Sequence, residues 1–203
     1  MKIVILGAGI TGSSVAGALA SEENDIVVID KQPRLLTALK ARLDIATVEG
    51  NAAHPSILQQ AGIEDADMVI AVTDRDETNM LACQVINTLY SKPKTIARVR
   101  AIDFLNHPQL FQPGGIDIVI SPEQVVTESI HNLIKYPGAL HVSEFADGLI
   151  RLFSIRVVSS GFLTGKKIHI VKEKLADGMI RIAAIFRDGK AIAVNGESKI
   201  ETG

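Results

Sequence analysis

A glycine spacing at the start of the chain restricts its fold more than any other feature. Lys2-Ile3-Val4-Ile5-Leu6 is a short apolar run of β-prone residues. Gly7, Gly9 and Gly12 follow it, and then a run of small residues from Ser13 to Ala20. G-x-G-x-x-G carries weight only after a strand and at the opening of a helix, which is its setting here. Each glycine has a mechanical reason. Gly7 allows a tight turn off the strand, Gly9 lets a pyrophosphate approach the backbone, and Gly12 lets the helix pack close to the sheet. The helix N-terminus adds unpaired N–H groups and a partial positive charge. Asp30 ends the next apolar run, Asp25–Ile29, where a carboxylate can accept hydrogen bonds from a ribose diol. That carboxylate disfavours a 2′-phosphate, although Lys31 and Arg34 stand close to it in sequence.

Strand and helix patterns alternate beyond this point. Strands are predicted at 2–6, 25–29, 46–49, 68–72, 95–99 and 118–120. Helices are predicted at 11–21, 34–43, 55–61, 77–89, 104–111 and 123–134. Pro33 is expected just before the second helix and Pro55 at the opening of the third, where a missing N–H is not felt. Regular alternation implies a Rossmann-like, doubly wound parallel sheet, with ligands at the C-terminal ends of its strands. Gly7, Asp30, Gly50, Thr73 and Arg98 to Arg100 all fall at such ends. Tyr136-Pro137-Gly138 breaks the pattern, so a nucleotide-binding domain is expected over 1–136 and a small α+β domain over 137–203. In the second, strands are predicted at 149–158, 179–187 and 190–194, with a hairpin at Asp188-Gly189 and a short helix around Lys172–Ala176. The β-like run at Ile200–Gly203 is barely begun, so more chain is expected after it.

Composition limits the function classes. With 203 residues, 47% hydrophobic and 22% charged, the chain can build a packed core. Its formal net charge is −2 and its basic residues do not cluster, which gives no nucleic-acid footprint. One cysteine, Cys83, excludes an internal disulfide and suits a reducing compartment; its helical setting places it in the core. No apolar run approaches the roughly 18–20 residues that cross a bilayer. A soluble, cytoplasmic protein is expected, with any membrane role reached through a partner. The five histidines are scattered with no metal-ligand spacing.

Three further stretches are candidates for ligand contact. Asn51, after the third strand, can pair with an adenine edge as donor and acceptor, or can simply cap a turn. In Thr73-Asp74-Arg75-Asp76-Glu77-Thr78-Asn79 an apolar strand ends abruptly in polar groups. Thr73 and Asp74 face the expected cleft, while Asp74 or Asp76 caps the next helix and Glu77 completes a capping box. Arg98 and Arg100 share one side of the fifth strand, where a guanidinium can pair with a phosphate or with a neighbouring acid. No acid–base pair stands ready for hydride chemistry. A small NAD-dependent dehydrogenase remains the alternative, with Asp74 or Asp103 as its base.

Gly7-Ala8-Gly9-Ile10-Thr11-Gly12, Asp30, Gly50-Asn51-Ala52, the 71–79 segment and Ala97-Arg98-Val99 together resemble the regulator-of-potassium-conductance (RCK, or KTN) domain family, over residues 1 to about 135. The tail, with Leu163–Lys167 and 179–194, is similar to the start of that family's small C-terminal domain. The resemblance implies a regulatory nucleotide-binding module and not an enzyme. It implies NAD or NADH in the glycine cleft, and ATP or ADP in some members. Gly7, Ala8, Gly9, Ile10, Thr11 and Gly12 would hold the pyrophosphate, and Asp30 with Lys31 the adenosine ribose. Asn51 and Ala52 would lie by the adenine, Thr73 and Asp74 by the nicotinamide end, and Arg98 by the phosphates. Many members carry Asp at the position of Asn51. The resemblance further implies a homo-oligomer, either a dimer or a tetrameric ring, beneath a membrane potassium-translocating subunit of the Trk type.

Overall fold

A computed structural model describes residues 1–90, 92–111, 114–146, 148–174 and 180–203. Contacts divide the chain into two units, Met1–Val125 and Val126–Gly203.

In the first unit, β1 (Lys2–Leu6), β2 (Asp25–Asp30), β3 (Ala46–Glu49), β4 (Met68–Ala71), β5 (Lys94–Arg98) and β6 (Ile118–Ile120) form one parallel sheet in the order β3-β2-β1-β4-β5-β6. Helices α1 (Ile10–Ala20), α2 (Pro33–Lys40), α3 (Pro55–Gln60) and α4 (Asp76–Leu89) connect the first five strands. The strand alternation of β1 serves both faces. Ile3 and Ile5 pack with Ala16, Val28, Leu36 and Leu39 on one side, while Val4 and Leu6 pack with Leu58, Val69, Ala82 and Ile86 on the other. Each buried Val, Leu or Ile side chain among these contributes about 1.5–3 kcal/mol. Cys83 is fully buried in the second of these cores, as expected.

The helix predicted at 104–111 is instead a short helix, α5 (Ile102–Leu105), and a separate 3-10 turn at Pro108–Leu110. Pro108 lacks the N–H that a continuous helix needs at that point. Pro33 lies inside α2 as its first residue and not before it. Helix α6 (Pro122–Lys135) follows β6, and large apolar residues of both, including Ile118, Ile120, Ile130 and Ile134, are exposed.

In the second unit, β7 (Ala139–Phe145) and β8 (Ile150–Ile155) form an antiparallel pair. The sequence pattern predicted β8 but not β7. Helix α7 spans Ile168–Lys174, earlier than the expected 172–176, of which 175 and 176 lie outside the described residues. The strand predicted at 179–187 is confined to β9 (Ile185–Arg187), and residue 179 lies outside the described residues. Strand β9 turns back into β10 (Lys190–Ile192) through Asp188 (φ 51°) and Gly189 (φ 73°). Two successive positive φ values are what a two-residue type I′ hairpin demands. Among the described residues no helix is long and apolar enough to cross a membrane.

Candidate functional site

Strand register sets the site. Leu6 pairs with both Ile29 and Ala71, and Ala71 pairs with Ala97. Parallel strands in register end level with one another, so the next residues along, Gly7, Asp30, Val72 and Arg98, form a row at the C-terminal edge. The row lies between β1 and β4, where the strand order reverses, which is the ligand crevice of open α/β sheets.

The glycine loop fills the centre of this row. Gly7 has φ +108°, donates its N–H to Ile29 O at 2.7 Å, and would bring a Cβ within 2.9 Å of Thr73 Cα. Both conformation and space therefore require glycine there. A Cβ on Gly12 would lie 1.8 Å from Gly7 O, because α1 rises directly over the turn. Gly9 differs from both: its φ is −68° and a Cβ would meet no protein atom within 4 Å. Nothing in the fold itself asks for glycine at that position. Gly9 is the N-cap of α1 and supplies no side-chain cap, so the helix's first amide groups are left to other acceptors. Ala8 is buried, Ile10 is 89% exposed, and Thr11 is half-buried.

On the β2 side, both oxygens of Asp30 accept backbone amides, Oδ2 from Ala8 at 2.6 Å and Oδ1 from Gln32 at 2.8 Å. A carboxylate has about four lone-pair sites, so it retains acceptor capacity for a ligand. Lys31 is exposed beside it. Gly50 N–H donates to Asp30 O at 2.9 Å, which brings the β3 end alongside. There Asn51 Oδ1 accepts the Ala53 amide at 3.2 Å, its Nδ2 lies 3.2 Å from His54 Nε2, and Ala52 is buried in the core. Asn51 thus forms a local turn, as one of its two sequence readings had it.

On the β4 side, a polar network shapes the segment after Ala71. Asn79 is fully buried in α4. Its Oδ1 accepts from Thr73 N–H at 2.9 Å and contacts Thr73 Oγ1 at 2.7 Å, and its Nδ2 donates to Thr73 O and to Arg98 O. Arg98 extends across the sheet reversal. Its Nη1 donates to Thr11 Oγ1 at 3.1 Å and its Nη2 to Thr73 O at 2.8 Å, while its Nε is buried without a partner. Asp74 is exposed.

The capping box expected at the start of α4 is absent. Arg75 is the N-cap without a side-chain bond, and Asp76 is the first helical residue. The buried Asp76 carboxylate instead accepts the amides of Arg100 and Ala101, each at 2.8 Å, and Arg100 Nε at 3.4 Å. Arg100 Nη2 closes the clamp on Asp74 O. Burial on its own would raise the Asp76 carboxyl, but the two amides and the guanidinium outweigh it and hold the group below its ordinary 3.8. Glu77 lies at an exposed ion pair with Arg75, 3.8 Å apart.

The structure therefore gathers Gly7 to Gly12, Asp30, Thr73 and Arg98 around one edge, with Asn51 next to Asp30. Asn79 is the organising residue that sequence reasoning did not assign; Arg100 pairs with a neighbouring acid, as one of its two sequence readings had it, and that acid is Asp76, expected there only as a helix cap. The available signal was an Asn and an Asp among the otherwise apolar inward-facing positions of α4.

Comparisons with known proteins agree with this architecture. The chain is 48% identical over 203 residues to the Trk system potassium uptake protein TrkA of Halomonas elongata, covering 99% of this chain and 44% of that protein. The chain thus spans less than half the length of that relative, whose name is that of a potassium uptake protein and not of an enzyme. The GsuK channel bound to NAD has the same fold, with TM-score 0.70 and 19% identity over 98% of this chain and 35% of that one. GsuK bound to ADP is 29% identical, with TM-score 0.53, over 66% of this chain and 34% of that one. The family model of the TrkA-N domain matches residues 3–122, and the chain belongs to that family.

Proposed function

We propose that this chain is a nucleotide-sensing regulatory module, not an enzyme. It binds NAD or NADH in the cleft between Gly7 and Gly12, and ATP or ADP through the same adenosine end. As a homo-oligomer, a dimer or a tetrameric ring, it controls a membrane potassium-translocating partner of the Trk type from the inner face of the membrane. Asp30 and Lys31 take the adenosine ribose, and Asn51 and Ala52 lie by the adenine. The loop amides with Thr11 and Arg98 take the phosphates, and Thr73 and Asp74 the far end of the ligand.

Gly9 carries this reading. It is a glycine that neither backbone angle nor packing requires, set where a pyrophosphate would need to touch the backbone. The unpartnered Arg98 Nε beside the cleft supports it. Large apolar residues left exposed on β6, Ile118 and Ile120, and separately on α6, Ile130 and Ile134, support an oligomer, because exposed apolar surface is a candidate for association. The names of the TrkA relative and of the two GsuK structures support the ligand and the partner.

A nucleotide controls a partner only through its differing affinity for two states, typically ~1–3 kcal/mol of coupling. Titration calorimetry of the folded chain with NADH, NAD, ATP and ADP should show binding without turnover. Asp30→Ala should weaken all four. A folded chain that binds none of them would overturn the proposal.

A further inference from the structure

Thr73 has a fixed hydrogen-bonding polarity, and it follows from the atoms around Asn79. The Asn79 amide has two ends, and backbone carbonyls decide which is which. One end lies 3.3 Å from Thr73 O and 2.9 Å from Arg98 O. Both are acceptors only, so that end is the NH2 group. The other end is then the oxygen, which agrees with its 2.9 Å contact to the Thr73 amide, a donor only. This same oxygen lies 2.7 Å from Thr73 Oγ1. Two oxygens at that distance need a proton between them, and Asn79 Oδ1 carries none. The Thr73 hydroxyl must therefore give its proton to Asn79. Donation to Arg75 O at 3.1 Å instead would set two lone pairs against each other at 2.7 Å. What remains on Thr73 Oγ1 is acceptor capacity, of which the Arg75 amide at 3.4 Å takes only a weak share.

Position gives this polarity a consequence. Strands β2 and β4 flank β1 on opposite sides. With the adenosine ribose at Asp30 and the phosphates over Gly9, whatever lies beyond the phosphates reaches the β4 side, where Thr73 is half-buried. A dinucleotide places a second sugar there, with hydroxyl donors. A mononucleotide triphosphate places its third phosphate there, whose oxygens are acceptors at neutral pH, whereas a diphosphate ends over the loop. Arg98 supplies the donors on that side, through a guanidinium bonded to Thr11 and Thr73 O.

We infer that Thr73 is a specificity-determining residue that accepts a hydrogen bond from the second sugar of a dinucleotide and disfavours the third phosphate of ATP. The inference rests on the proposed nucleotide site and deepens it. Asn79 is the positioning residue that turns the hydroxyl proton inward.

The test compares the whole chain with Thr73→Val and Thr73→Ser by titration calorimetry, using NADH, ADP and ATP as probes. Valine keeps the shape and the backbone amide bond to Asn79 but removes the oxygen. A hydrogen bond of ordinary net strength corresponds to up to about tenfold in affinity. Thr73→Val should weaken NADH by roughly 5- to 10-fold while ADP and ATP stay within about twofold or tighten. Thr73→Ser should restore NADH. Equal losses for all three probes, a larger loss for ATP, or unchanged NADH binding would overturn the inference and leave the nucleotide site standing. Wild-type chain that binds none of the probes would remove the site and the inference together.

Discussion

Two glycines of the loop, three residues apart, should respond in opposite ways to the same added methyl group. In Gly12→Ala the new Cβ would start 1.8 Å from Gly7 O and 2.9 Å from Gly7 C, both backbone atoms that no rotamer change can move. An ordinary carbon–oxygen contact is about 3.3 Å or more, so either α1 or the Gly7 turn must shift by over ~1 Å. Gly7 cannot yield easily, since its N–H is bonded to Ile29 O and it packs on Thr73. Overpacking of this kind costs ~1–3 kcal/mol where side chains can adjust and more where only backbone can. The better helix propensity of alanine returns less than ~1 kcal/mol. A net loss of about 3 kcal/mol should lower the melting temperature by roughly 10 °C. In Gly9→Ala the methyl group meets no protein atom and φ is −68°, so the melting temperature should stay within about 1 °C. NADH affinity should nevertheless fall by 10-fold or more, because the methyl occupies the space over the loop. Thermal unfolding by circular dichroism and NADH titration on the same samples check both halves. A destabilised Gly9→Ala, or a Gly9→Ala that binds NADH like wild type, would refute the assignment of this glycine to a ligand.

Other outcomes follow from the neighbouring groups. Asp76→Ala leaves the amides of Arg100 and Ala101 without their acceptor and should cost ~2–4 kcal/mol in urea unfolding, with Asp76→Asn costing less. The Asp76 carboxyl is held low in the fold, so its stabilisation is complete above about pH 4 and is lost as pH falls through the lower folded value. The wild-type stability profile should therefore drop more steeply on acidification than that of Asp76→Asn. Burial, with a smaller effect from Asp117, pushes the Cys83 thiol up to about 12, so a thiol reagent at pH 8 should label it only in denaturant. On the proposed pairing of its guanidinium with phosphates, Arg98→Ala should weaken ADP and ATP more than it weakens adenosine, read by calorimetry.

The parts of the fold that could be read from the chain were those decided locally. Lys2–Leu6 and Ala46–Glu49 match their predicted bounds because an apolar run meets a glycine at its end. The type I′ hairpin was legible because Asp188-Gly189 can hold two positive φ values. Strand β7 escaped because His141, Ser143 and Glu144 dilute its alternation, and its existence depends on pairing with β8. The helix expected at 104–111 gives way to a 3-10 turn at Pro108, whose missing N–H is itself a stop signal in the sequence. At the site, the row of Gly7, Asp30, Thr73 and Arg98 was foreseeable, since strand ends are where such folds hold ligands. The roles of Asp76 and Asn79 were not. Asp76 reads in the sequence as a local helix cap and Asn79 has no assigned role there, whereas their partners, Arg100 and Arg98, are 24 and 19 residues away.

Arg98 also has a mechanical meaning. Among the described strands, the first three pair with the last three along the β1–β4 ladder, which makes that ladder a seam between two halves of the sheet. Asp30 and the Ala8 amide belong to one half and are bonded to each other. Thr73, Asn79 and Arg98 belong to the other and are likewise locked together. At the far end of the seam the Lys2 amide is tied to Asp67. At the cleft end the tie is a side chain, Arg98 to Thr11. Any molecule that touched both sets at once would bridge the seam at the same end as the Arg98–Thr11 tie.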